Sequence, residues 1–266
     1  MNARQGGFTL IELIVALTIS VVVVGFAASF IAVPVQAHLA QTRRSELAAS
    51  AEAVTLRMSR DIRRGLPNSV RVATVGGRPA IEMISFRGVS IYRDDTLTTG
   101  TPDAAFDVVA LPPMSTQFVV INNTGIGVQS AYAAATRVRA VAQVDVTSTT
   151  IALNPAFSFI AQSPRRRAFL VPLTPVIRYE CDLVARALRR YEGLGITAAM
   201  GVLPAGTPFT VVARDVTACT FTPPPAPVAN QNHGGLVPIR ITISRVSNGA
   251  TDRLRIMKQL KVEEAS

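Results

Sequence analysis

The sequence predicts an α+β protein: a long N-terminal helix, its first half suited to a membrane, packed on an antiparallel β-rich C-terminal domain. Three observations predict it. No residue from Leu13 to Val33 is charged, and a helix of that length spans roughly 30 Å, the thickness of a bilayer core. From Leu47 to Ile62 the apolar residues recur at helical spacing. After Pro67 the chain breaks into short alternating runs separated by Gly, Pro, Asn, Asp and Thr, the pattern of strands and turns.

Phe8 to Val33 is apolar apart from Glu12 and a few hydroxyls. Its β-branched residues would favour a strand in water, but in lipid the backbone must satisfy its own hydrogen bonds, which forces a helix. Pro34 removes one helical hydrogen bond and predicts a bend. Beyond it Leu47, Ala51, Val54, Met58 and Ile62 form one apolar stripe, with Arg43, Arg57, Arg60 and Arg64 opposite. The stripe is read as the face that packs on the β-domain. Gly65 and Pro67 end the helix, and the arginines of its last turn suit the dipole.

In the C-terminal part the clearest strands are Val237–Val246 and Arg253–Val262, which alternate about Ser247-Asn248-Gly249 and predict a hairpin. Val176–Cys181 and Ala187–Tyr191 predict another. Further runs are Val70–Val75, Ala80–Arg87, Gln117–Ile121, Arg137–Val146 and Val216–Phe221. Gly76-Gly77 reads as a turn and the triplet Arg165-Arg166-Arg167 as a loop.

Composition narrows function. Hydrophobic residues make up 48% and charged residues 17%, which excludes a disordered chain. The 27 Lys+Arg against 17 Asp+Glu give +10, but the arginines are spread along the chain, unlike a nucleic-acid footprint. Two cysteines and two histidines without CxxC or HExxH spacing offer no metal site. GxSxG, Walker and dinucleotide fingerprints are absent. No catalytic residue, metal or cofactor is expected, and the chain reads as a non-enzyme.

Glu12 is the anomaly. A carboxylate one turn inside an apolar span costs a few kcal/mol or more. It either neutralises or meets a cation. A cut just before Phe8 would create an α-amine four residues away, available in cis or, more cleanly, to a neighbouring subunit. Burial would make such a pair selective for register. A secretory signal peptide cut near Ala27 to Ser29 or at Ala37, and a plain single-pass anchor, are alternative readings; both leave Glu12 unexplained.

Gly7-Phe8-Thr9-Leu10-Ile11-Glu12 followed by an apolar helix resembles the N-terminal signature of type IV pilins and type II secretion pseudopilins. The resemblance implies a leader, residues 1–7, removed between Gly7 and Phe8 by a prepilin peptidase, with N-methylation of Phe8. It implies that Glu12 sets subunit register by pairing with a neighbour's terminal amine. A transmembrane helix (8–33), its amphipathic continuation (34–66) and a periplasmic β-rich domain (67–266) follow. The implied location is the inner membrane and then a pilus or pseudopilus. The implied partners are other major and minor pilin subunits, the prepilin peptidase and the inner-membrane assembly platform, with no nucleic acid among them. The helix-disrupting proline common in major pilins is absent from Phe8 to Val33.

The region Leu47 to Val72 looks like the O-type minor pilin of the MSHA (mannose-sensitive haemagglutinin) pilus and also resembles the J-type minor pseudopilin; Arg178-Tyr179-Glu180-Cys181-Asp182 and the later Cys219 favour the former. That implies a minor subunit that primes or joins a filament tip. An outward-facing domain enters an oxidising compartment, where Cys181 and Cys219 are expected to pair; two buried free thiols are the alternative. A subunit that binds surfaces or DNA, and a membrane-anchored enzyme, are the remaining functional alternatives.

Overall fold

A computed structural model describes residues 9–93, 97–110, 117–144, 149–223, 236–247 and 250–261. The architecture is α+β, one long helix followed by antiparallel sheets. The chain divides into two compact units, Met1–Ala49 and Ser50–Ser266.

Helix α1 covers Leu10–Arg63, 54 residues, and runs uninterrupted through Pro34. The stripe read from the sequence is the buried one: Leu47, Ala51, Val54, Met58 and Ile62 are all buried, the last three completely. The helix stops where the chain must turn tightly. Gly65 N–H donates to the Ile62 carbonyl at 3.0 Å, and a Cβ on Gly65 would stand 2.9 Å from that oxygen. A side chain here would push the turn apart.

The strands are β1 (Arg71–Val75), β2 (Arg78–Ile84), β3 (Gly88–Ile91), β4 (Asp103–Asp107), β5 (Gln117–Ile121), β6 (Arg139–Val144), β7 (Thr150–Phe157), β8 (Arg167–Val171), β9 (Val176–Asp182), β10 (Ala187–Leu194), β11 (Thr210–Arg214), β12 (Val216–Phe221), β13 (Leu236–Ser247) and β14 (Ala250–Lys261). They form a five-stranded sheet β1-β2-β9-β10-β11, a six-stranded sheet β3-β8-β5-β6-β7-β4 and a three-stranded sheet β12-β13-β14. Every neighbouring pair is antiparallel.

Both expected hairpins form. Val237, Ile239, Ile241 and Ile243 are buried on one face of β13, and Ser247 pairs with Ala250; residues 248–249 and Val262 lie outside the described residues. Strands β9 and β10 turn between Asp182 and Ala187. Strands β1 and β2 turn at Gly76 and Gly77, with φ of 56° and 77°. That is the left-handed pair a two-residue hairpin loop needs to follow strand twist. Five strands are additions to the sequence reading: β3, β4, β7, β8 and β11. Arg165 and Arg166 stand exposed in the connection just before β8.

The six-stranded sheet is apolar on both faces. Val119, Ile121 and Leu170 join Tyr92, Phe106 and Phe159 on one side. Val120, Phe169 and Val171 join Leu66, Ile84 and Val176 on the other, which fastens this sheet to the end of the five-stranded one. The three-stranded sheet is held by a covalent bond. Cys181 of β9 and Cys219 of β12 form a disulfide with Cα atoms 6.2 Å apart, so the bridge ties two sheets together. Cross-linking a loop of this length is worth roughly 3–4 kcal/mol in the chain-entropy account.

Candidate functional site

Gly7 and Phe8 lie outside the described residues. Helix α1 opens immediately after them on a capping box. Thr9 is the N-cap: its carbonyl accepts from Leu13 N–H at 3.2 Å, and its hydroxyl oxygen accepts from Glu12 N–H at 3.4 Å. Glu12, three residues in, reaches back, its Oε2 accepting from Thr9 N–H at 3.5 Å and from the Thr9 hydroxyl at 3.4 Å. The Thr-x-x-Glu spacing was the available sequence signal. The carboxylate therefore points at the positive end of the helix dipole. None of the apolar span Leu10–Ala28 is buried. In water that surface would cost tens of kcal/mol, at about 25 cal/mol per Å2, so it is built for lipid or for other helices.

The motif Arg178–Asp182 forms most of the central strand β9, in which every residue is buried. Alternation sends its side chains to two faces. Tyr179 meets α1: its hydroxyl donates to Asp61 Oδ2 at 2.6 Å, and Arg190 Nε donates to the same oxygen at 2.6 Å. Arg190 also pairs with Glu192. Burial alone would depress the Arg190 guanidinium, but the bonds to Asp61 and Glu192 outweigh it and raise its pKa. Burial, and then the bond to Asp61, hold the Tyr179 phenol protonated.

Arg178, Glu180 and Asp182 face the other way. Glu82 accepts from Arg71 at 2.5 Å and from Arg178 at 2.6 Å. Arg178 also reaches Glu180 at 3.2 Å. Asp182 takes Arg78 at 3.0 Å and Arg189 at 2.9 Å. Burial works against the Asp182 charge, yet the Ala185 and Val184 N–H groups and these two arginines hold its pKa below the ordinary carboxylate value. Loop 195–209 closes over this face through carbonyls: Ala198 and Thr197 accept from Arg71, and Gly201 accepts from Arg178.

Two of the four tyrosines, Tyr132 and Tyr179, have phenol pKa values raised chiefly by burial. A raised folded pKa gives stability that is complete below the unfolded value, about 10, and lost as pH rises through the folded one. Phenolate absorbance is therefore expected to stop short of full ionisation above pH 10 and to finish only with unfolding. Tyr179→Phe should shallow the alkaline fall in stability. Full ionisation of all four phenols in the native protein would contradict this.

A third cluster sits at the end of α1. Arg60, Arg63, Arg64 and Lys258 of β14 line one cavity of about 440 Å3 together with Glu52 and Ser59, whose buried hydroxyl has no hydrogen-bond partner. The three arginines are neighbours in the sequence; the fold adds Lys258. Among the described residues no three His, Cys, Asp or Glu side chains group as metal ligands.

Residues 2–28 match the family model described as the prokaryotic N-terminal methylation motif. That match supports a type IV pilin-like or pseudopilin subunit, points to a structural role and agrees with the apolar helix as a single membrane anchor. The chain matches no curated protein and no solved structure.

Proposed function

We propose that this chain is a minor pilin or pseudopilin that primes or joins the tip of a type IV pilus-like filament. A prepilin peptidase cuts between Gly7 and Phe8 and Phe8 is N-methylated. The apolar helix waits in the inner membrane, then transfers its exposed surface into a bundle of neighbouring helices. The strand-rich domain faces the periplasm and selects partner subunits.

One observation carries this reading: the methylation motif over residues 2–28 contains an apolar helical span, Leu10–Ala28, none of which is buried. A plain anchor accounts for the helix but not for the motif. Mass spectrometry of protein isolated from its own membranes is expected to find an N-methyl-Phe8 start. A start at Met1, or one beyond Ala27, would remove the assembly reading.

The basic cavity at Arg60, Arg63, Arg64 and Lys258 favours a second reading, a subunit that also holds a polyanion such as DNA. Titrating the full chain in neutral detergent with labelled duplex DNA at several salt concentrations tests it. The affinity is expected to fall steeply with salt, and a triple Arg60→Gln, Arg63→Gln, Arg64→Gln variant should flatten the slope by about 0.9 for each phosphate it no longer neutralises. Salt-independent or absent binding dismisses it.

A further inference from the structure

The outer face of the five-stranded sheet holds an unbalanced charge where loop 195–209 crosses it. The buried acids there are Glu82, Glu180 and Asp182, and four guanidiniums serve them: Arg71, Arg178, Arg78 and Arg189. Arg71 and Arg178 saturate Glu82 and find extra acceptors in loop carbonyls. Arg78 and Arg189 have no such supplement, and both lean on a single oxygen of Asp182, at 3.0 and 2.9 Å. Arg189 Nε is buried and has no hydrogen-bond acceptor. Leaving a buried donor of a charged group unsatisfied costs more than leaving a neutral one.

Arg189 borders a cavity of about 440 Å3 that also has Arg78, Tyr191, Val202 and Phe209 in its walls, with one acid, Glu180, which Arg178 already neutralises at 3.2 Å. The Phe209 ring lies 4.5 Å from the Arg189 guanidinium carbon and 5.6 Å from the Tyr191 ring. The cavity therefore pairs an under-compensated cation with an aromatic and aliphatic wall, a combination suited to a small ligand with one charged end.

The geometry points to a binding site for a carboxylate carried on a compact apolar body, its oxygens on the guanidinium N–H groups of Arg189 and Arg78 and its apolar part against Phe209 and Val202. A guanidinium N–H and a carboxylate make a short charge-assisted bond, and the arriving negative charge balances the fourth arginine. A free organic acid and the Asp or Glu side chain of a neighbouring chain present the same chemistry. The site lies within the strand-rich unit and does not depend on the assembly reading.

Two probes separate the sources: phenylpropanoate, and the blocked dipeptide N-acetyl-aspartyl-phenylalaninamide. The full chain in neutral detergent is titrated with each while the methyl resonances of Val75, Val202 and Leu203 are followed. At least one probe is expected to move them saturably, and neutral phenylpropanamide to leave them in place. Binding of the free acid identifies a small-molecule site; binding of the dipeptide alone identifies a side chain of a neighbour. Arg189→Met keeps an apolar stem, leaves Arg78 on Asp182 and should weaken binding at least about tenfold, the equivalent of roughly 1.4 kcal/mol. Val202→Trp fills the cavity mouth without touching a charge, and it decides the matter if the arginine variant does not fold. No shift with either carboxylate, equal binding of the amide, or unchanged affinity in folded variants overturns the proposal.

Discussion

Replacing Asp61 by alanine is expected to lower the unfolding free energy of the strand-rich unit by about 3–5 kcal/mol, the cost of stranding a buried charge. The reason is positional. Asp61 stands in the last turn of α1, where the helix dipole disfavours a carboxylate. It is there because Tyr179 and Arg190 converge on one of its oxygens, both at 2.6 Å. Without it, Arg190 keeps only Glu192, which is mostly exposed and screened, and the buried Tyr179 hydroxyl loses its acceptor. Asp61→Asn retains an acceptor but no charge and should fall between wild type and alanine. Tyr179→Phe removes one bond and should cost about 1–2 kcal/mol. Denaturant unfolding of the full chain in detergent, followed by near-UV circular dichroism, reads all three. An alanine variant within about 1 kcal/mol of wild type, an ordinary surface effect, would show that the triad does not hold helix to sheet.

That triad shows where sequence reading stops. The stripe Leu47 to Ile62 was legible because helical spacing is local, and β13–β14 because alternation and a Ser-Asn-Gly turn are local. The motif Arg178–Asp182 was legible as a strand, and its Cys181 as a partner for Cys219, but not as a charged cluster. Its partners Asp61, Glu82 and Arg190 lie far away or on other elements, and pairing of that kind leaves no periodic trace. The missing strands fail for similar reasons. Strand β8 is buried from Ala168 to Val171, so it does not alternate. Strand β7 contains Pro155, and a proline ordinarily argues against a strand. Strand β4, Asp-Ala-Ala-Phe-Asp, carries residues that strands avoid; pairing to β7 overrides propensity. The capping box was different. Thr9 and Glu12 stand at the diagnostic spacing, but a charge in an apolar span drew attention to the membrane rather than to the helix end.

Glu12→Ala is expected to abolish filament incorporation while leaving the strand-rich unit folded. Glu12 caps α1 and, in the proposed assembly, also serves as a counter-charge, and alanine alone does not tell the two apart. As a capping residue it is worth about 0.5–2 kcal/mol at an exposed helix end. As the counter-charge to a neighbour's methylated amine it is worth more, since a carboxylate carried unpaired into apolar surroundings costs several kcal/mol. Glu12→Gln separates them, because glutamine serves the third position of a capping box as glutamate does but brings no charge. If charge sets register, alanine and glutamine variants should both be missing from sheared filaments although present in the membrane. If capping is the job, glutamine should assemble like wild type, and the register reading fails. The bonds Glu12 accepts from Thr9 are long, 3.4 and 3.5 Å, so an ammonium offering a short charge-assisted contact would outcompete them. The box holds the carboxylate in the first turn of α1, four residues along the chain from the terminus that the proposed cut before Phe8 would leave.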